Sequence, residues 1–147
     1  MRIKELIAGV LADMVTAETL STYIYATPSR QNVDLSYSTT PVALFTVLTD
    51  SDIDLKGGMV RETAQVAVDF VTDMQQPTTD FEADEMESKI DDMAAIAAEF
   101  VSTLYHADGW EFVGDTVRVT YLYDFRDRNT TGVRVKFTIK ELNGVCL

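Results

Sequence analysis

Reactive residues are scarce in this sequence. Its 147 residues include one cysteine, Cys146, and one histidine, His106. A lone cysteine closes no internal disulfide, so the fold is expected to stand without an oxidising compartment. One histidine and one cysteine forty positions apart make a poor nucleophile–base pair. His106, the only instance of the usual general base and metal ligand, falls in the last turn of a predicted helix, where the dipole favours a cation. Basic residues are half as numerous as acidic ones, 12 against 24, giving a net charge of −12. That balance argues against gripping a phosphate backbone, which takes clustered Lys and Arg, so no sequence-specific nucleic-acid partner is expected. No phosphate-cradling loop occurs either, since Gly57-Gly58 stands without a following Lys-Ser/Thr. Apolar runs never approach the 18 residues of a spanning helix, and the stretch after Met1-Arg2-Ile3-Lys4 is broken by Glu5 and Asp13, unlike a signal-peptide core. Cys146 is penultimate and does not fit a prenylation box. These absences predict an intracellular protein with no membrane partner.

What is present is an ordinary globular composition, 46% hydrophobic and 24% charged. It predicts one α+β domain over residues 1–147, large enough to bury roughly 68–70% of its unfolded surface. From Arg2 to Val15, Ile3, Leu6, Ile7, Val10, Leu11 and Met14 form one helical stripe. Strands are predicted at Thr22–Tyr25, at the nearly all-apolar Val42–Leu48, and at Thr63–Val71, where Val66, Val68 and Phe70 alternate with Gln65, Ala67 and Asp69. The polar stretches Pro28–Thr40 and Asp50–Gly58 read as loops. A long helix is predicted from a capping box at Thr79 and Glu82 to about His106, its stripe running through Met86, Ile90, Met93, Ala97, Phe100 and Leu104. Two alternating strands follow as a hairpin, Val117–Phe125 with Val117, Val119, Tyr121 and Tyr123 on one face, and Val133–Lys140 with Arg134, Lys136 and Lys140 on the outward one. The order is α-β-β-β-α-β-β. No βαβ repeat is apparent, so a mostly antiparallel sheet with the helices on one face is the expected architecture.

Chemical motifs fail on inspection. Asp50-Ser51-Asp52-Ile53-Asp54 begins like an EF-hand calcium loop, but Leu55 occupies the glycine position and Arg61 the position of the bidentate glutamate. The acidic run from Asp80 to Asp92 is explained by the helix N-terminus and by positions off the apolar stripe, which leaves no converging carboxylates. Trp110 reads as a core or edge aromatic. No catalytic residue, metal or cofactor is expected, and an enzyme has no positive support. The segment that stands out is Asp124, Phe125, Arg126, Asp127, Arg128 and Asn129 at the hairpin tip. With Arg134 and Lys136 on the outward face, it forms a candidate interface in which alternating charges would fix register with a neighbour.

The element order and closing hairpin, with Ile3-Lys4-Glu5-Leu6-Ile7 at the start and Asn129-Thr130-Thr131-Gly132-Val133-Arg134-Val135 near the end, resemble the tail-terminator and tail-completion proteins of long-tailed bacteriophages and prophages. The resemblance implies a homo-oligomeric ring, often hexameric, on the end of the tail tube, with tube and head–tail connector proteins as partners. It also implies assembly in the bacterial cytoplasm, residence in the virion tail, and an acidic lumen past which DNA slides. Two other readings stand beside it. One is a small-ligand-binding domain lined by Tyr23, Tyr25, Tyr121 and Tyr123, and the other is a cytoplasmic regulatory interaction module.

Overall fold

The computed structural model describes residues 2–73, 83–125, 130–143 and 145–146. The Thr79–Glu82 capping box and the tip residues Arg126, Asp127 and Arg128 lie outside the described residues. Helix α1 (Arg2–Thr16) buries Ile3, Ile7, Val10, Leu11 and Met14, the stripe its 3.6-residue period predicts. After it come β1 (Thr22–Ala26), α2 (Pro28–Leu35), β2 (Val42–Thr46), β3 (Ser51–Asp54) and the long β4 (Met59–Asp73). Helix α3 (Ala83–Tyr105) is followed by β5 (Trp110–Phe112), β6 (Arg118–Phe125), β7 (Thr130–Glu141) and a two-residue β8 (Val145–Cys146).

The sheet is built on β4 and β7, antiparallel over an eleven-residue register from Thr63–Lys140 to Asp73–Thr130. Outside β4 lie β2 and β3, each covering part of its length. Outside β7 lie β5 and β6 in the same way, and β1 closes the edge beyond β2. All these pairings are antiparallel except β1–β2, which is parallel, so the sheet is mixed. The parallel pair corrects the sequence reading of Pro28–Thr40 as a loop. A parallel connection needs a crossover, and α2 supplies it, started by Pro28 in the first turn, where a missing N–H costs nothing. Polar along most of its length, α2 buries only Gln31 and Leu35, too few for its period to register. Asp50–Gly58 is likewise not all loop, because β3 pairs with β4 there.

The helices are divided between the two faces, not gathered on one as expected. Helices α1 and α3 cover the first face, where Val66, Val68 and Phe70 of β4 meet Val133, Val135, Phe137 and Ile139 of β7 beneath Phe100. Phe100 stands 5.3 Å from Phe70 and 6.3 Å from Phe137, ring to ring. Helix α2 covers one end of the second face, packing its Leu35 with Val42, Leu44, Val71 and Leu122. Strand β2 is therefore buried on both sides, as its continuous apolar run predicts. At the far end of the first face, Glu62 and Glu141 are buried opposite one another on β4 and β7, and Arg2 of α1 bonds the Glu141 carboxylate at 2.5 Å. The Glu62 N–H donates to the same carboxylate at 2.7 Å.

Candidate functional site

Beyond the reach of α2, the second face of the sheet is open, and its side chains come in cross-strand rows. The row nearest α2 is Val71, Gly132 and Leu122. The next holds Asp69 opposite Arg134. Asp69 is 1% exposed, and its two carboxylate oxygens accept from Arg134 Nε at 2.7 Å and Nη2 at 3.0 Å. The hydrogen bond to Asp69 is the largest influence holding the guanidinium above its ordinary pKa, against an opposing desolvation penalty. Arg134, a predicted interface residue, is thus engaged within the sheet.

The third row differs. Ala67 lies opposite Lys136, and Lys136 lies opposite Arg118. Like charges directly opposite on a sheet repel, and among the described residues no carboxylate pairs with either of these exposed cations. Further along, Lys140 is paired with Glu111 at 2.8 Å, and Arg61 Nε donates to the Leu142 carbonyl at 3.1 Å. A hollow of about 160 Å³ lies against Lys136, lined also by Thr46, Thr49, Asp50 and Gln65. The open face thus carries five cations of a chain holding 12, of which Arg134 and Lys140 have an acid partner among the described residues.

Of the predicted interface set, Lys136 is found exposed on this face. Asp124 falls in β6, where a register irregularity separates Leu122 from Phe125, and the tip residues Arg126, Asp127 and Arg128 lie outside the described residues. Sequence reading missed Arg118. Its signal is the alternation that sets Arg118, Thr120 and Leu122 against Val119, Tyr121 and Tyr123, which only the β6–β7 register turns into a neighbour of Lys136.

On the first face, α3 lies over β4 and β7 and leaves β6 largely uncovered. Val119, Tyr121 and Tyr123, on one face of the predicted strand, are 48%, 59% and 47% exposed, while among the described side chains of β6 the buried one is Leu122 from the other set. Between α3 and the β5–β6 edge runs a hollow of about 590 Å³, its apolar wall formed by Val101, Tyr105, Phe112 and Val117. Ser102, His106 and Asp115 also line it. His106 Nδ1 lies 2.8 Å from the Ser102 carbonyl, which can only accept, so Nδ1 carries the proton and donates to backbone rather than to a carboxylate. A second hollow of about 220 Å³ continues along β6, between Tyr121 and Tyr123 on one side and Glu87, Ile90 and Asp91 on the other. The four tyrosines of the small-ligand reading share no cavity. Tyr25 packs on Phe45 with Lys4 over its ring, and β1 and β6 stand at opposite edges of the sheet, about 19 Å apart at ordinary strand spacing. No group of three or more His, Cys, Asp or Glu side chains is placed to hold a metal among the described residues, and none of their helices is long and apolar enough to cross a membrane. Compared with models of known protein families and with curated proteins, the chain matches none.

Proposed function

We propose that the protein is a structural assembly protein whose copies join head to tail. The open sheet face of one copy sits against the helical layer of the next, and the closed ring caps a phage tail tube where it meets the head connector. The observation that carries the assembly reading is the Arg118–Lys136 row. Two exposed cations side by side leave a local positive charge that an acid from another copy can meet, and the domain's other side carries the complement. The outer surface of α1 and α3 exposes Glu5, Asp13, Asp92 and Glu99, and its two lysines, Lys4 and Lys89, are partly buried.

Complementary charges on opposite faces of one domain produce a heterologous contact, which makes rings when the rotation closes. The tail-terminator role rests on the resemblance of element order and closing hairpin described above, and with it residence in the virion tail. Opposed charges of this kind set register and rate of association. Light scattering should therefore find oligomers at low ionic strength that shrink to monomers near 0.5 M salt, where the screening length falls to about 4 Å. A strict monomer at low salt and high concentration contradicts the reading.

A further inference from the structure

The groove between α3 and β6 lies on the opposite side of the sheet from the Arg118–Lys136 row, and its lining residues are not among the Glu5, Asp13, Asp92 and Glu99 proposed to meet the next copy. We infer that it receives an extended segment of another protein, added as a strand to the outer edge of β6, with an apolar anchor and a basic residue an even number of positions apart.

Among the described residues β6 pairs with β7 alone, so from Arg118 to Leu122 it presents a row of backbone donors and acceptors. Exposed edges are ordinarily blunted by charge, bulges or cover. Here the register irregularity comes only after Leu122, and the side chains toward α3 are the apolar Val119 and Tyr121. An added strand satisfies that edge and lays alternate side chains over the groove, the mode of strand-addition recognition.

The two hollows fix the chemistry of those side chains. The larger has a mostly apolar wall at Val117 and a volume of about 590 Å³, ample for one aromatic or large aliphatic group. The smaller, at Tyr121 and Tyr123, is lined by the carboxylates of Glu87 and Asp91 and, among the described residues, by no cation. Val117, the residue before β6, lies four residues from Tyr121 and six from Tyr123, or about 13–20 Å at strand rise. Because strand side chains alternate, residues reaching both hollows are separated by four or six positions, never five. In an antiparallel addition the basic residue precedes the anchor.

A second copy does not meet these requirements. Paired edge to edge, its β6 brings Val119 and Tyr121 toward the groove but leaves Arg118 on the other face with Lys136, so Glu87 and Asp91 gain no counter-charge.

The probe is the fluorescein-labelled peptide Arg-Thr-Val-Thr-Phe-Thr, titrated onto the full chain by fluorescence polarisation. Saturable binding is expected, weakened about tenfold by joint Glu87→Gln and Asp91→Asn substitution, as loss of charge-assisted contacts at exposed sites predicts. Both positions are exposed on α3, so the variant keeps the fold. N-methylation of the peptide nitrogens that face β6 should abolish binding, and methylation of the alternate nitrogens should leave it. No saturable binding overturns the inference. So does binding indifferent to which nitrogens are methylated, or a peptide with Arg next to Phe binding as tightly. Self-association abolished by Thr120→Pro, with no peptide binding, overturns it in favour of a second copy.

Discussion

Replacing Gly132 by alanine is expected to destabilise the protein by about 3 kcal/mol, at the upper end of overpacking costs. Gly132 is the third residue of β7, opposite Val71 of β4 and Leu122 of β6. A Cβ built there overlaps the Phe70 carbonyl oxygen and lies 2.9 Å from its carbon and 3.0 Å from Val71 Cα. The obstacles are backbone atoms of the longest pairing in the molecule, so no side-chain rotation relieves them. Glycine in a strand interior often marks such a close approach. The missing side chain also lets Val71 and Leu122 meet within the small core under α2. Gly9→Ala is the control. It lies within α1, where an added Cβ meets nothing within 4 Å, and it should stabilise by about 1 kcal/mol. Urea unfolding should move the midpoint down for the first variant and up for the second with an unchanged slope. Equal midpoints for Gly132→Ala and wild type would contradict the close approach.

Asp69→Asn is the second large effect, expected to cost about 3 kcal/mol. The carboxylate is 1% exposed and accepts two guanidinium hydrogen bonds from Arg134, whose side chain is 33% exposed. Removing one member of a buried pair takes away the counter-charge bonded to the other. Part of that loss is recovered because Arg134 reaches solvent, which keeps the figure at the low end of the range for buried pairs. Replacing both partners by apolar residues, Asp69→Val with Arg134→Met, should restore most of the stability, as buried pairs exchanged for hydrophobic groups commonly do. A double variant as unstable as the single one would show that the two residues do not act as a pair. The measurement is a double-mutant cycle in urea.

The elements legible in the sequence are those whose burial follows from their own period. Helix α3 and strand β2 are of this kind, since every third or fourth residue of one and every residue of the other meets a partner surface. The alternation of β4 and β7 also gives their inward faces correctly. Legibility fails where burial is decided by something distant in the chain. Asp69 alternates with Val68 and Phe70 as a solvated residue should, yet it is buried, with Arg134, 65 positions away, bonded to its carboxylate. Tyr121 and Tyr123 alternate as core residues should, yet α3 does not extend over β6. Helix α2 is hidden because its cover of the second face uses only Gln31 and Leu35, with the Gln31 amide spent on the Ala26 carbonyl and Thr46 hydroxyl at 3.1 and 3.2 Å. Of the candidate interface, the basic outward side of β7 was readable from sequence. The Arg118 that makes it a row was not, because cross-strand neighbours depend on register.

The proposed assembly is tested most directly by exchanging its charges. A first variant, Arg118→Glu with Lys136→Glu, turns the open face acidic. A second, Asp92→Lys with Glu99→Lys, turns the helical layer basic. All four side chains are exposed, so both variants should fold as the wild type does. Under head-to-tail contact each variant alone opposes like charges and should be monomeric by sedimentation at low salt, whereas an equal mixture restores every contact and should form an alternating ring with an even number of subunits. Variants that associate as the wild type does, or a mixture that stays monomeric, would contradict the account.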